Sequence, residues 1–316
     1  MMLRIALAAL MLFAFWWPAT AHEDPEIAGY IQVEGGRIWY RMNGSEHLGK
    51  MPAIIVAHGG PGGTHRGNLP YVALSDTFPV ILYDQLGTGN SDRPEGQETW
   101  RVARFVDEID HIREALNLEE VIMAGHSWGG TLAAEYAVRN PDGLLGAILS
   151  SPLISTPVWN ADNAKWIAEL PEETQAVLER HKNDKTMASK EYREAAQVFY
   201  DRHMCRVGHC TDNGHWAGGP SGNKDMYLTM WGPTDFFGIG TLKDYDLTPK
   251  LKDIDVPTLI LCGEFDEAAP ESCHRFGGMI EGAQVTILPD AGHATMAANE
   301  PYYVQQVRSF ADAVAK

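Results

Sequence analysis

The chain is poor in positive charge: 25 lysines and arginines stand against 42 aspartates and glutamates, a formal net charge of −17 at pH 7. A surface this acidic repels the phosphates of nucleic acid, so we expect no nucleic-acid partner. The sequence has no internal repeat or low-complexity tract, and beyond residue 21 it has no apolar run long enough to cross a membrane. We therefore expect no stable membrane association. The 316 residues suffice for one large α/β domain, or for a core carrying a smaller insert.

Cysteine is scarce, with four residues in the chain. Cys205 and Cys210 are close enough in sequence to form a bridge in an oxidising compartment. Cys262 ends an apolar run, which favours a buried thiol; a Cys262–Cys273 pair is the alternative, because sequence alone does not fix connectivity. Histidines accompany the first pair, but the group matches no standard zinc spacing, so we predict no metal and no cofactor. The group comprises His203, Cys205, His209, Cys210 and His215.

The first 21 residues have the pattern of a secretory signal. Arg4 gives a positive start, residues 5–17 form an apolar stretch too short for a comfortable membrane span, and Ala19-Thr20-Ala21 fits a cleavage site. We predict a cleavable signal peptide over residues 1–21 and a mature chain that begins at His22. The protein is then periplasmic or secreted. An uncleaved N-terminal anchor is the alternative.

The rest of the chain divides into three parts by its hydrophobic pattern. Apolar runs typical of buried strands alternate with helical patterns through residues 22–154 and again through residues 246–316. This alternation predicts a mostly parallel sheet flanked by helices. Residues 155–245 have long amphipathic stretches instead, which predicts a helical cap inserted into the core.

The motif Gly125-His126-Ser127-Trp128-Gly129 follows the apolar run 121–124 and precedes the helical pattern of residues 129–136. A serine at such a strand-to-helix junction sits on a tight turn that exposes its hydroxyl, as in α/β hydrolases. We therefore predict an α/β-hydrolase fold with Ser127 as the nucleophile. His126 should point away from the hydroxyl and pack against its surroundings.

A serine nucleophile needs a base, and the base needs an orienting carboxylate. In α/β hydrolases the acid and then the histidine follow the serine, each on a loop after a strand. His293 follows the predicted strand 285–288 and is the candidate base. Four acids near the ends of the last two strands are candidates for the carboxylate: Glu264, Asp266, Glu267 and Asp290.

The oxyanion that forms during attack needs preorganised N–H donors. The backbone amide of Trp128 is one candidate, because it directly follows the nucleophile. The second candidate is the amide of Gly60, within the glycine-rich run His58-Gly59-Gly60-Pro61-Gly62 that follows another predicted strand. Glycines there let the backbone approach a substrate closely.

Five motifs spread over nearly the whole mature chain carry a family resemblance. They are His58-Gly59-Gly60-Pro61-Gly62, the run from Tyr83 to Ser91, Gly125 to Gly130, Phe199 to Arg206, and Met230-Trp231-Gly232-Pro233. Together they resemble the proline iminopeptidases, with the related tricorn-interacting aminopeptidases and amino-acid amide hydrolases. The resemblance implies an enzyme that removes an N-terminal residue, often proline, and therefore recognises a free amine.

The same resemblance implies roles for three acids. It makes Asp266 the orienting carboxylate and puts two carboxylates near the substrate amine: Glu267, and Asp235, where family members often have glutamate. Paired carboxylates would hold a buried ammonium, which an acylated or internal residue cannot supply. The alternative interpretation of Asp235 and Glu267 is an ordinary solvated acid or a helix cap.

Aromatic residues of the cap have two interpretations, a small apolar pocket suited to a pyrrolidine ring or the core of the cap itself. They are Trp216, Trp231, Phe236 and Phe237. Among them we predict Trp231 as a substrate-binding residue. The predicted function is an exported serine aminopeptidase that releases an N-terminal residue from small peptides through an acyl-enzyme. Proline is the residue that we expect it to release. The alternatives are an amino-acid amide hydrolase, or an esterase or lactonase on the same fold.

Overall fold

The computed structural model describes residues 24–206 and 221–316. Its centre is an eight-stranded sheet with the order β1-β2-β4-β3-β5-β6-β7-β8. The pairs β1–β2 and β2–β4 are antiparallel, and all the others are parallel. The strands are β1 (Ile27–Val33), β2 (Gly36–Asn43), β3 (Ala53–Ala57), β4 (Val80–Asp84), β5 (Val121–His126), β6 (Leu144–Ser150), β7 (Thr258–Gly263) and β8 (Gln284–Leu288).

Helices cover both faces of the sheet, which explains why the central strands are continuous apolar runs: every residue of β3, β4 and β7 is buried. The helices are α1 (Val102–Leu116), α2 (Trp128–Val138), α3 (Thr156–Ala168), α4 (Glu172–Asn183), α5 (Lys190–His203), α6 (Lys224–Met230), α7 (Pro270–Gly277), α8 (Thr295–Ala298) and α9 (Glu300–Val314). Helices α1, α2 and α7 share one apolar core with the sheet, and α9 shares the other with a 3-10 segment, His65–Leu74.

The segment from residue 155 to residue 245 leaves the sheet and returns at almost the same point. Ser155 and Asp246 form an antiparallel bridge, and the Thr156 N–H donates to the Tyr245 carbonyl (2.9 Å). The described part of this segment contains α3 to α6 and has its own apolar core, in which Phe199 packs against Phe236 with 4.5 Å between the ring centroids. The segment therefore stands over the carboxyl ends of the strands as a helical layer.

The expectation of a buried Cys262 thiol is wrong, because Cys262 and Cys273 form a disulfide. Helix α7 follows β7 closely and packs on it, so the two side chains meet within one core with their Cα atoms 6.7 Å apart. The bridge closes the loop that carries Asp266 and Glu267. Cys210 of the other predicted pair, like the predicted signal segment 1–21, lies outside the described residues. Within residues 24–206 and 221–316, no helix is both long and apolar enough to cross a membrane.

Candidate active site

Ser127 lies on the turn between β5 and α2, at the carboxyl end of the sheet. Its backbone has φ 57° and ψ −119°, a conformation that costs a non-glycine residue about 1–3 kcal/mol. The Ser127 N–H donates to the carbonyl of Ser150, the last residue of β6 (2.8 Å), which holds the turn against the neighbouring strand. The surrounding sheet therefore maintains the strained backbone that a nucleophile turn requires.

Both glycines of the serine motif are required by close backbone contacts. A Cβ atom on Gly125 would lie 2.0 Å from the carbonyl oxygen of Gly129, and a Cβ atom on Gly129 would lie 2.0 Å from the carbonyl oxygen of Ala57. No side chain can occupy such a position. The spacing of the motif thus follows from how tightly α2 packs against β3 and β5.

His293 and Asp266 form a buried hydrogen-bonded pair. His293 Nδ1 lies 2.7 Å from Asp266 Oδ1, and the side-chain exposures are 7% and 0%. An ionised Asp266 can only accept, so Nδ1 donates and Nε2 keeps the lone pair that a general base needs. Ser127 and His293 line the same cavity. The structure therefore brings together the three residues that the sequence predicts as nucleophile, base and acid.

Asp266 is held in its ionised form by a full set of donors. Its Oδ2 accepts from Ser151 Oγ (2.6 Å) and from the Gly263 N–H (3.0 Å), while Oδ1 also accepts from the Ala268 N–H (2.9 Å). Burial alone would raise the pKa of Asp266, but His293 and these donors outweigh it and the pKa falls below its ordinary value. A carboxylate held in this way can fix the orientation of the imidazole.

Two of the competing acids lie away from this pair. Glu264 and Asp290 are exposed; the Asp290 N–H donates to Glu264 Oε2 (2.8 Å), and Asp290 Oδ1 accepts from Arg206 Nε (3.0 Å). The third competitor, Glu267, lines the pocket described below rather than the back of the imidazole.

The loop that carries His293 is held from both sides. Its N–H donates to the His203 carbonyl at the end of α5 (2.7 Å), and the next N–H, of Ala294, donates to the Met204 carbonyl (2.8 Å). On the core side, His126 Nε2 donates to the His293 carbonyl (2.8 Å). Burial, followed by the charge of His293, lowers the pKa of His126 to about 4, so His126 stays neutral and supports the loop. His126 thus packs against the loop of the candidate base.

Gly60 and Trp128 line one pocket with Ser127, as the two oxyanion donors should. Trp128 is the first residue of α2, and first-turn N–H groups have no acceptor within the helix. Gly60 has φ 128°, and a Cβ atom there would lie 2.5 Å from the Gly62 N atom. Only glycine fits this conformation, which turns the loop after β3 toward the nucleophile.

Gln85, to which the sequence analysis gave no role, links the two halves of this donor pair. Its Nε2 donates to the His58 carbonyl (3.0 Å), and its Oε1 accepts from Trp128 Nε1 (2.9 Å). Its own N–H donates to His58 Nε2 (3.0 Å). Gln85 directly follows β4, which pairs with β3. Functional residues of α/β sheets lie at the carboxyl ends of strands, so this position is the sequence feature that could have marked Gln85 as a site residue.

A narrow second pocket of about 20 Å³ lies beside Ser127 and contains the predicted substrate-binding residues Asp235, Glu267 and Trp231. Tyr227 donates its hydroxyl hydrogen to Asp235 Oδ1, and Trp231 Nε1 donates to the Asp235 carbonyl (3.1 Å). A bound residue as large as proline requires these walls to move apart, because the space matches little more than one water molecule.

Trp159 is a wall of this pocket that the sequence analysis did not single out. Its ring meets the ring of His293 edge to face, with 5.4 Å between the centroids, and the ring of Trp231 at 5.8 Å. Its Nε1 donates to the Asp235 carbonyl (2.9 Å). Nothing in the sequence distinguished this tryptophan of α3 from an ordinary cap residue.

Glu267 is the unusual group of the site. It is fully buried, and neither of its carboxylate oxygens has a hydrogen-bond partner among residues 24–206 and 221–316. Burial raises its pKa well above the ordinary value, and the charges of Asp235 and Asp266 raise it further. A buried carboxylate without donors is costly to keep. Glu267 therefore offers two acceptor oxygens to a positively charged donor that enters the pocket.

The aromatic residues singled out in the cap occupy different places in the structure. Phe236 and Phe237 belong to the apolar core of the cap, whereas Trp231 lines the pocket; Trp216 lies outside the described residues. His203 stacks on Trp166 with 4.7 Å between the ring centroids. His209, Cys210 and His215 of the histidine and cysteine group, for which the sequence predicts no metal, lie outside the described residues. The described part of the chain holds no group of His, Cys, Asp and Glu suited to a metal ion.

Comparisons with known proteins identify the fold and the relatives of this chain. Residues 52–298 match the family described as alpha/beta hydrolase fold. The proline iminopeptidase of Heyndrickxia coagulans is 39% identical over 289 residues, which cover 90% of this chain and 99% of that protein. The crystal structure of the proline iminopeptidase of Mycobacterium smegmatis superposes with a TM-score of 0.81 at 32% identity, covering 92% and 99% of the two chains. The crystal structure of VinJ gives a TM-score of 0.84 at 31% identity over 92% of this chain and 100% of that one.

Proposed function

Because the chain belongs to the proline iminopeptidase family of α/β-hydrolase-fold enzymes, and is thereby a serine hydrolase with aminopeptidase activity, we propose that it releases N-terminal proline from small peptides through an acyl-enzyme. In the first step Ser127 Oγ attacks the carbonyl carbon of the N-terminal residue while His293 Nε2 takes the hydroxyl proton. The amides of Gly60 and Trp128 hold the resulting oxyanion. Each such donor contributes about 3–4 kcal/mol in the transition state.

The tetrahedral intermediate then collapses. The C–N bond breaks, His293 returns its proton to the leaving amine, and the prolyl group remains as an ester on Ser127. A water molecule, deprotonated by His293, attacks this ester in the second half of the cycle. The ester C–O bond then breaks, His293 returns the proton to Ser127 Oγ, and free proline leaves. The Asp266 carboxylate stabilises the imidazolium in both halves, which its hydrogen bond to Nδ1 supports.

The observation that carries the proposal is the buried Glu267 in the pocket beside Ser127. A protonated N-terminal amine supplies the hydrogen-bond donors and the positive charge that both of its oxygens lack. Asp235 lines the same pocket and adds a second negative group. An ester or lactone without an amine would leave Glu267 unsatisfied, so this pocket favours an aminopeptidase over a simple esterase.

The test compares L-proline p-nitroanilide with its N-acetyl derivative and with p-nitrophenyl acetate, using the chain from residue 22 onward. We expect rapid release of p-nitroaniline from the free-amine substrate only, and a loss of about 10⁴-fold or more in kcat for Ser127→Ala. Equal cleavage of the acetylated anilide would contradict amine recognition. Hydrolysis of the ester alone would contradict the peptidase proposal while leaving the serine mechanism intact.

We also propose that the enzyme is exported and acts in the periplasm or outside the cell. The signal-like pattern of residues 1–21 supports this, and so does the Cys262–Cys273 disulfide, since such bonds persist in oxidising compartments. Mass spectrometry of the protein recovered from a bacterial host's periplasm or medium should give an N-terminus at His22. Recovery of the intact N-terminus in the cytoplasm would contradict export.

A further inference from the structure

Asn223 begins the cap helix that forms one wall of the narrow pocket of the site, called the amine pocket below. It is the N-cap of α6: its Oδ1 accepts the Met226 N–H (3.0 Å), and its carbonyl accepts the Tyr227 N–H (3.1 Å). Tyr227, one turn into the helix, lines the amine pocket with Glu267 and donates its hydroxyl hydrogen to Asp235. Asn223 is therefore fixed relative to the groups that would hold the substrate amine.

The same residue is bonded to two core loops on which the oxyanion hole depends. Its backbone N–H donates to the Gly62 carbonyl (2.8 Å), in the loop that carries Gly60. Its side-chain Nδ2 donates to the Gly87 carbonyl (3.0 Å), two residues beyond Gln85. The Gln85 side chain in turn joins the two halves of the oxyanion hole. One residue of the cap thus contacts both loops.

These bonds attach the start of α6 to the core. Helix α6 belongs to the cap segment, whereas the two loops follow the core strands β3 and β4. Ser221 adds two bonds at the same place, because its carbonyl accepts the Gly89 N–H (2.9 Å) and Arg93 Nη2 (2.5 Å), both on the loop after β4. One end of α6 is therefore held by the loops of the oxyanion hole, and the other end reaches the amine pocket.

The amine pocket, at about 20 Å³, is too small for a prolyl ring, so its walls must move when the substrate binds. Tyr227 lies on α6, and Trp231 directly follows the helix with its N–H bonded to the Tyr227 carbonyl (2.8 Å). A helix of seven residues is about two turns long, so a displacement of these walls is carried to Asn223. From there it reaches the Gly62 and Gly87 carbonyls through the two hydrogen bonds.

We infer that Asn223 is a positioning residue that couples the amine pocket to the oxyanion hole: a substrate amine that fills the pocket brings the Gly60 and Trp128 amides into register through Asn223. This inference rests on the proposed function. The bound amine then raises kcat, because binding energy that acts only in the transition state appears in kcat. A substrate without the amine meets the resting loop, which the bond from the Gly63 N–H to the Gly59 carbonyl also holds (3.2 Å).

The kinetic test removes the side-chain donor and keeps the helix cap. Asn223→Asp and Asn223→Ser still offer an oxygen to the Met226 N–H, since all three residues cap helices well. Neither can donate to the Gly87 carbonyl, because the aspartate has no donor and the serine hydroxyl is too short to reach it. We expect kcat and kcat/KM for proline p-nitroanilide to fall together by about tenfold, with KM within about twofold.

Hydrolysis of p-nitrophenyl acetate, which has no amine, should fall by less than about twofold in the same variants. Equal losses on the anilide and the ester would overturn the coupling, and so would a rise in KM alone.

Two control variants separate this role from helix stability. Asn223→Ala removes the cap as well, so it should lower Tm by about 2 °C relative to Asn223→Ser while kcat falls by the same factor. Ser189→Ala removes the comparable cap of α5, where Ser189 Oγ accepts the Tyr192 N–H (3.2 Å). It should lower Tm similarly and leave both activities unchanged. A loss of anilide hydrolysis in Ser189→Ala equal to that in Asn223→Ser would overturn the coupling.

Hydrogen–deuterium exchange separates this inference from the proposed function. L-Prolinol has the ring and the free amine of proline but no carbonyl for Ser127 to attack, so it fills the amine pocket without turnover. In the parent protein we expect prolinol to slow exchange by about threefold or more in residues 227–235 and in residues 85–91. In Asn223→Asp only residues 227–235 should respond.

Cleavage of proline p-nitroanilide without any response of residues 85–91 to prolinol would overturn the coupling alone. If no proline substrate is cleaved, the proposed function fails and the exchange data decide the coupling. A response in both segments that Asn223→Asp confines to residues 227–235 then supports it, and no response in either segment overturns it.

Discussion

Substitution of Glu267 by glutamine tests amine recognition most directly. The change keeps the shape of the side chain but removes its charge, so a bound ammonium loses one of its ionic partners in a buried pocket. An interaction of this kind contributes about 3 kcal/mol, which corresponds to a loss of roughly 10²-fold in kcat/KM for proline p-nitroanilide. Hydrolysis of p-nitrophenyl acetate, which has no amine, should stay within about twofold.

The same substitution should stabilise the free enzyme. The raised pKa of Glu267 means that the folded chain holds its proton above the ordinary value of 4.5, where the unfolded chain releases it. Stability is therefore lost as the pH rises above 4.5, and removing the carboxyl removes that loss. We expect Glu267→Gln to raise Tm by about 2 °C or more at pH 8, with a smaller gain at pH 5.

Glu264→Gln is the matched control, because Glu264 lies on the same loop but is exposed to solvent. It should change neither the kcat/KM for the anilide nor Tm. The assays are steady-state kinetics on the two chromogenic substrates and calorimetric melting at two pH values. A Glu267→Gln enzyme that loses anilide and ester hydrolysis equally, or that melts at a lower temperature than the parent, would refute the reasoning.

Three further predictions concern the rest of the site. Gln85→Ala removes the two hydrogen bonds by which the Gln85 side chain joins the His58 carbonyl to Trp128 Nε1. We therefore expect kcat to fall about tenfold for anilide and ester alike, with little change in KM. A rise in KM alone would contradict a role in oxyanion stabilisation. Glu267 must lose its proton to pair with an ammonium, so kcat/KM for proline p-nitroanilide should rise as the pH passes through the raised pKa of Glu267. This rise should be absent from the pH profile of p-nitrophenyl acetate hydrolysis and from that of Glu267→Gln. Identical pH profiles for both substrates would contradict a role of Glu267 in amine binding. Replacing Cys262 and Cys273 by alanine opens a loop with a sequence separation of 11, which should destabilise the protein by about 3 kcal/mol in urea unfolding; an unchanged midpoint would show that packing alone holds the loop.

The sequence predicted the parts of the site that depend on strand ends. Ser127, Asp266 and His293 each follow an apolar strand, and parallel strands bring their carboxyl ends to one edge. The α/β-hydrolase fold was predicted from the same alternation and is confirmed by the eight-stranded, mostly parallel sheet and the family match.

What the sequence could not give depends on contacts between distant segments. Trp159 and Gln85 act through hydrogen bonds to residues 76 and 43 positions away, and no local pattern marks such partners. The Cys262–Cys273 bond was left open for the same reason, since pairing depends on how α7 packs on β7. The unsatisfied state of Glu267 is likewise a property of its buried surroundings.

The two backbone carbonyls that end α5 have a consequence for protein engineering. His203 and Met204 accept the N–H groups of His293 and Ala294, so the cap completes the backbone support of the histidine that the core carries. A chimera that receives the cap of a relative to change its specificity must therefore reproduce these two acceptors. Grafting residues 155–245 as a block, with the α5 terminus in register with the loop of residues 290–294, preserves that support. An exchange of α5 alone must keep the same register.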